Sequence, residues 1–272
     1  MRITSWNLLH GQGARSFRAV ADALDVGNSD FVIGVQEVDA FQDRSDQVFQ
    51  VADLASELSA KHFAFVRCVI GTPGFKWRKV KSDEAILITN TSSANDDNPP
   101  SYGIGLITNI PVTKWEVLAL GKSVIGLPLI FPAGDRNGSS KPKLRFIYVK
   151  DEPRYAVAAQ LENGFTVVNM HLSFVPFVNL FQLRKIKKWA KKLSQQYGTQ
   201  VLIMGDLNLP KGIPAIWSNW NSLITQNTYP SWGAKIQFDY ILSNTLKVSQ
   251  YEALDTVITG ISDHLPIRVK IL

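Results

Sequence analysis

A chain of 272 residues with 45% hydrophobic and 19% charged residues is neither disordered nor fibrous, and it can bury a substantial core as one large domain. The single cysteine, Cys68, excludes an internal disulfide and a cysteine-based structural zinc site, and reads as a small buried hydrophobe within HFAFVRCVI. A net charge of +6 and a pI near 9.3 admit a polyanionic partner, nucleic acid or an anionic membrane surface, without choosing between them.

In chain order, RITSWNLL (2–9) reads as a strand, SFRAVADALDV (16–26) as a short helix, FVIGVQEV (31–38) as a buried strand and QVFQVADLASEL (47–58) as an amphipathic helix. HFAFVRCVI (62–70) follows as a strand and opens a strand-rich middle: EAILITN (84–90), SYGIGLIT (101–108), TKWEVLAL (113–120), LRFIYVK (144–150), RYAVAAQLE (154–162) and FTVVNMHL (165–172). Gly, Pro, Asn and Asp separate these runs, which points to antiparallel pairing. A long helix over 178–197 leads into the strand VLIMGDLN (201–208), and QFDYILS (237–243), KVSQYEAL (247–254) and PIRVKIL (266–272) close the chain as strands. Four loops are long for a compact domain: GTPGFKWRKVKSD, NTSSANDDNPP, FPAGDRNGSSKPK and LPKGIPAIWSNWNS. Each is followed by another strand rather than a new self-contained pattern, so residues 1–272 are expected to form a single domain. No apolar run nears the roughly 20 residues that span a bilayer, and MRITSWNLLHG lacks a signal-like region. A cytoplasmic location is therefore the expectation.

Polar residues interrupt or end several apolar strands. Asn7 follows ITSW, Glu37 follows VIGVQ, His171 follows FTVVNM, Asp206 and Asn208 end VLIMGDLN, Asp239 sits in FDYIL, and Asp263 and His264 are read as opening the last strand. Any one of these could be a turn-former or a satisfied histidine. Together, carboxylates, amides and imidazoles at strand ends are what a hard-metal site with histidine chemistry needs, and phosphate-ester hydrolysis is the matching reaction. Glu37 is the best candidate for a magnesium ligand. Asp206, Asn208, His171 and His264 could orient and deprotonate a water and neutralise phosphoryl charge, and Asp239 could fix the tautomer of His264.

The blocks SWNLLHG, VQEVD, NMHLSF, MGDLN, FDYIL and SDHLP resemble, in order and approximate spacing, those of the endonuclease/exonuclease/phosphatase superfamily, the DNase I-like phosphoesterases. The resemblance runs from Asn7 to His264. It implies an α+β fold, a four-layer α/β/β/α sandwich of two mixed, mainly antiparallel sheets, and hydrolysis of a phosphodiester or phosphomonoester with Mg²⁺ or Mn²⁺. It further implies that Glu37 is the principal metal ligand, with Asn7 close by and Asp263 an alternative or second ligand. Asp206 resembles the residue that orients or deprotonates water, Asn208 the holder of water and phosphate, and His264 with Asp239 the phosphate-polarising histidine or base. His171 resembles the histidine that stabilises the transition-state phosphate or assists the leaving group. Apurinic endonucleases typically carry a tyrosine followed by Pro-Asn at that last position, so HLSF argues against an abasic-site enzyme.

Lys76, Trp77 and Arg78 set an aromatic among cations in a loop, as a surface tracking a nucleic-acid backbone would, and the same composition equally fits a solubilising loop. The cations between Arg184 and Lys192 are read as a solvated helix face, and Trp217, Trp220, Tyr229 and Trp232 as core residues or lining of a substrate cleft. Nucleic acid is favoured slightly over a phospholipid head group or a small phosphodiester. Two rivals fit less well. A dinucleotide-binding start at Gly11 and Gly13 has Ser16 at the third glycine position, and a non-catalytic scaffold would not keep every position of the site.

Overall fold

The computed structural model describes residues 1–14, 16–92, 99–133, 143–210, 212–216, 218–256 and 258–272. In chain order its elements are β1 (Arg2–Asn7), α1 (Phe17–Leu24), β2 (Phe31–Ala40), α2 (Gln50–Glu57), β3 (His62–Gly71), β4 (Trp77–Arg78), β5 (Leu87–Thr89) and β6 (Ser101–Thr108). There follow β7 (Val112–Gly121), β8 (Leu127–Ala133), β9 (Lys143–Val149), β10 (Arg154–Leu161), β11 (Phe165–His171), α3 (Val178–Tyr197) and β12 (Gln200–Asp206). The last are β13 (Asn221–Ser222), β14 (Asp239–Ser243), β15 (Tyr251–Leu254) and β16 (Ile267–Ile271). The expected loops 90–100, 131–143 and 209–222 fall partly outside the described residues, as does Trp217 altogether. The expected loop 71–83 contains the short strand β4.

Two sheets carry the architecture. One has the order β15-β16-β1-β2-β6-β3-β4, with β5 also on β3; the other runs β13-β14-β12-β11-β10-β7; β8 and β9 form a separate ribbon. Both are mixed. β1 and β2 are parallel through the α1 crossover and β11 and β12 through α3, while the other pairs are antiparallel. An antiparallel β16 and β6 on either side of β1–β2 is incompatible with the doubly wound parallel sheet of a dinucleotide-binding domain.

Period-two alternation explains the layers. In β2, Val32 faces the other sheet and Ile33 and Val35 face the helices; in β12, Leu202 and Met204 face the first sheet and Val201 and Ile203 face α3. The inner cluster combines Ile3, Val32, Val66 and Ile104 with Val157, Val167, Leu202 and Ile241. The outer clusters pack Val20, Leu24, Val51 and Leu54 of α1 and α2 on one sheet, and Leu183, Ile186, Ala190 and Leu193 of α3 on the other. Helices thus cover the outer faces of two stacked sheets, the four-layer sandwich the sequence leads one to expect. α1 begins where Ser16 Oγ accepts the Ala19 N–H at 3.3 Å, an ordinary N-cap, and Gly198 ends α3 in the left-handed region at φ 65°.

Towards one end the inner layer turns polar. Buried Asn169 of β11 accepts from Gln36 Nε2 (2.6 Å) and donates to the carbonyls of Val35 (3.1 Å) and Gly105 (2.7 Å), while Gln36 also reaches Ser5 Oγ (3.1 Å). Gly34 makes room for this bridge, since a Cβ there would lie 2.8 Å from the Asn169 carboxamide. The polar groups beyond this bridge form the site.

Candidate active site

Four of the site residues continue inward-facing rows that are apolar deeper in the sandwich. Ile3 and Ser5 lead to Asn7, Val167 and Asn169 to His171, Leu202 and Met204 to Asp206, and Ile241 leads back to Asp239. Register aligns them. His171 is opposite Asp206 across β11–β12, and Asp206 opposite Asp239 across β12–β14. By alternation Glu37 should face the helices, because Gln36 faces inward. A bulge in β2 prevents this: the pairing with β6 shifts between Gln36 and Val38, and Glu37 is left as the extra residue with φ 53°. Such a conformation is uncommon for a residue with a side chain, and here it redirects a carboxylate into the site.

Asp206 is the hub. Its Oδ2 accepts from Asn7 Nδ2 at 3.1 Å and lies 3.6 Å from His171 Nε2 and 3.8 Å from His264 Nε2, while Oδ1 accepts the Asn208 N–H at 2.9 Å. Asn7 Nδ2 also reaches Glu37 Oε1 at 3.0 Å, and that oxygen is 4.0 Å from His171 Nε2. Asn208, at φ 47°, turns its amide back so that Nδ2 donates to Leu172 O (3.1 Å) and meets His171 Nε2 (3.2 Å). With the other amide hydrogen on a carbonyl, His171 Nε2 is the acceptor and its proton sits on Nδ1. His264 Nδ1 is 2.8 Å from Asp239 Oδ2, and the Tyr229 ring packs on the imidazole at 5.0 Å between centroids.

The final motif differs from expectation in one respect. Asp263 and His264 precede the last strand instead of opening it, since β16 begins at Ile267. Pro266 has no N–H for a ladder, and the loop is instead tied to the 228–231 segment by Leu265 N to Thr228 O (2.9 Å) and Ser231 N to Asp263 O (2.7 Å). Ser262 locks this loop to β1, donating to Asn7 O at 2.6 Å and accepting the His264 N–H at 3.2 Å.

Burial governs the charges. It raises Glu37 to about 7, with Asp263 adding and Asn7 opposing, and raises Asp206 to about 6 against the pull of His264. Burial also raises Asp263. Burial would depress His264, but Asp239 and Asp206 outweigh it and carry it to about 10, so this imidazole is a cation held between carboxylates. His171 goes the other way: burial, then Arg154 and His264, hold it well below the usual range and neutral.

The oxygen donors suit a hard divalent cation. Glu37 is a half-buried carboxylate whose desolvation makes it ionise reluctantly without a counter-charge, and it has Asn7 in contact and Asp263 close enough to raise it further. Ligand atoms of Asp206, Asp239 and His264 also lie within 4.8 Å of one another. Asp239 Oδ2 and His264 Nδ1 already satisfy each other at 2.8 Å, which leaves His264 Nε2 and Asp239 Oδ1 as the free donors of that group. The Glu37 corner is a second candidate position for a cation.

Lys76, Trp77 and Arg78 lie at the β3–β4 edge of the first sheet, and among the described residues no hydrogen bond or ion pair joins them to the eight residues above. The Arg78 guanidinium is clamped by both Glu84 oxygens (2.7 and 2.5 Å), and Lys122 Nζ sits 5.7 Å from the centre of the Trp77 ring. Trp220 is buried and Trp232 is exposed. Sequence reasoning passed over Ser262 and a buried group behind His171: Arg154 pairs with Glu152 (2.9 Å) and Asp151 (3.5 Å). DEPRY reads as a charged turn between strands, and nothing in its composition signals that all three charges are buried.

The model of the Endonuclease/Exonuclease/phosphatase family matches residues 4–264. No curated protein matches the sequence significantly. Among solved structures, the Bacteroides thetaiotaomicron mannosyl-6-phosphatase aligns over 100% of this chain and 99% of its own, at 15% identity and TM-score 0.59. The human Nocturnin catalytic domain, with bound sulfate, aligns over 100% and 93% at 16% identity and TM-score 0.57. Truncated Caenorhabditis elegans TDP2 aligns over 98% and 95% at 16% identity and TM-score 0.51. At such identities these likenesses speak to the fold.

Proposed function

The chain belongs to the endonuclease/exonuclease/phosphatase family, a family of phosphoester hydrolases, and from that premise we propose that it is a Mg²⁺- or Mn²⁺-dependent phosphodiesterase. The observation that carries this reading is the convergence on one buried carboxylate, Asp206, of two amides and two imidazoles. Glu37, Asn7 and Asp263 would hold the divalent ion, which supplies charge neutralisation to the phosphoryl oxygens. Asp206 Oδ2, the oxygen free of Asn208, takes the proton of the attacking water. The alternative base, His264, has both its ring nitrogens facing carboxylates and favours the protonated form, which suits it to binding a phosphate oxygen. His171, anchored by Asn208, lies 3.6 Å from Asp206 Oδ2 and completes the polar wall around that carboxylate.

The fold does not choose the substrate, since one neighbour is a phosphatase for a mannosyl phosphate and others carry different names. Nucleic acid had its support in net charge and in Lys76, Trp77 and Arg78, and the Glu84 clamp on Arg78 weakens that support. The experiment is a parallel turnover panel on the purified chain: single- and double-stranded DNA, RNA, sphingomyelin and phosphoinositide vesicles, and a chromogenic phosphodiester, each with Mg²⁺ and with chelator. Cleavage of one class that chelator abolishes assigns the substrate. Cleavage equal in Asp206→Ala marks a contaminant, and the absence of any chelator-sensitive cleavage that Asp206→Ala removes would count against the proposal.

A further inference from the structure

On the His171 side of the site lies a surface that the hydrolytic chemistry does not use. Ser123 N and Ser173 Oγ share one oxygen of buried Asp151, at 2.6 and 2.9 Å, and Gln182 joins the same junction by accepting from Ser173 N (2.8 Å) and donating to Gly121 O (3.3 Å). The loop after β7 and the start of α3 are thereby fixed beside each other. Both expose apolar side chains at this junction: Val124 is 98% and Ile125 68% exposed on the loop, Phe177 73% and Phe181 66% on the helix. Phe177 is held at φ 66°, where a bulky side chain is rarely found. Asn179, between the two phenylalanines, donates to Asn208 O at 2.9 Å, so the patch adjoins the catalytic cluster.

Its charge is one-signed. Phe181, Arg184, Lys185 and Lys188 follow at i, i+3, i+4 and i+7 on the face of α3 opposite its packed residues, and all four are exposed. Lys122 is exposed at the foot of the loop. Segments 121–126 and 173–188 contain no Asp or Glu. Phe177 and Phe181 offer π-faces, but Val124 and Ile125, the other half of the patch, offer a base nothing to stack on and suit acyl chains better. Lysine is depleted at protein–protein interfaces relative to the rest of the surface. Protruding apolar residues ringed by cations without acids are the complement of an anionic bilayer: the side chains enter the acyl boundary and the cations meet lipid phosphates.

We propose that Val124, Ile125, Phe177 and Phe181 dock the protein on an anionic phospholipid surface, presenting the site to that surface. Docking is a binding event and needs no turnover, so its failure and that of the phosphodiesterase reading are separately visible. The test is co-sedimentation of the full chain with phosphatidylcholine vesicles, with and without phosphatidylserine, across a salt series. Expected is association that requires phosphatidylserine and weakens with salt, reduced by roughly tenfold or more in Val124→Asp/Ile125→Asp and separately in Phe177→Ser/Phe181→Ser. Both variants should turn over a soluble chromogenic phosphodiester like the parent, which also reports that they fold. Vesicle binding unchanged in both variants, or no binding by the parent, overturns the proposal. So does a loss in these variants of RNA binding or of self-association in place of vesicle binding.

Discussion

Asp239 shows most clearly how one side chain acts through another. Its carboxylate is hydrogen-bonded to His264, it is fully buried, and its Oδ1 has no hydrogen-bond partner among the described residues. Asp239→Asn keeps the volume but removes the charge that holds His264 protonated, so kcat on a chromogenic phosphodiester should fall by roughly 10–100-fold with little change in KM. Equal effects on both parameters' ratio and on thermal stability would instead mark a packing role. Cys68 is a contrasting residue with no chemistry to do. Burial pushes its thiol from the ordinary 9.0 up to about 12. The folded protein therefore binds this proton more tightly than the unfolded chain, and the resulting stability is fully present below 9.0 and is lost as pH rises towards about 12. A thiol reagent applied below that window should label Cys68 only at the rate of unfolding, and Cys68→Ala should flatten the alkaline loss seen in urea titrations.

Among the elements, β2 and β11 are held together by a polar clasp as well as by apolar packing. Asn169→Ala would leave the Gln36 amide and the Val35 and Gly105 carbonyls short of partners inside the sandwich, at a cost of about 3 kcal/mol or more, read as a lower urea midpoint at unchanged m-value. A change under about 0.5 kcal/mol would show that water replaces the carboxamide. Much at this scale was legible in the sequence. Asn7, His171, Asp206 and Asp239 stand at the polar ends of apolar alternations, and alternation alone places them on the inward face. Glu37 breaks that parity. Only the bulge, a backbone event set by pairing with β6, brings it in, and no residue type announces it. The left-handed turn at Asn208, the Ser262 lock and the burial of Asp151, Glu152 and Arg154 were equally hidden, because each depends on which distant loop lies alongside. Arg78 misled for the opposite reason: its partner Glu84 is six positions away, but charge pairing within a loop cannot be told from free cations by composition.

For the molecule as a whole, the inner cluster draws its residues from both sheets, so the two sheets share a core in addition to the outer cluster under each sheet's helices. We therefore expect one cooperative thermal transition, with calorimetric and van't Hoff enthalpies equal. Two resolved transitions would mean that the sheets unfold as separate units. Among the described residues no helix is long and apolar enough to cross a membrane. The net charge of +6 is not spread evenly, since Arg184, Lys185 and Lys188 of α3 and Lys122 of the loop before β8 stand beside exposed apolar groups on one side of the site.

The claim on which the rest depends is that Asp206, with its ring of amides and imidazoles, is the centre of a metal-dependent phosphoesterase. The most direct test is the rate of hydrolysis of a chromogenic phosphodiester by the parent chain and by Asp206→Ala, first in chelator and then after Mg²⁺ or Mn²⁺ is restored. Expected is turnover by the parent only when metal is present, lowered by about 10²–10⁴-fold in the variant. Metal-independent turnover, or an Asp206→Ala variant as active as its parent, would contradict it.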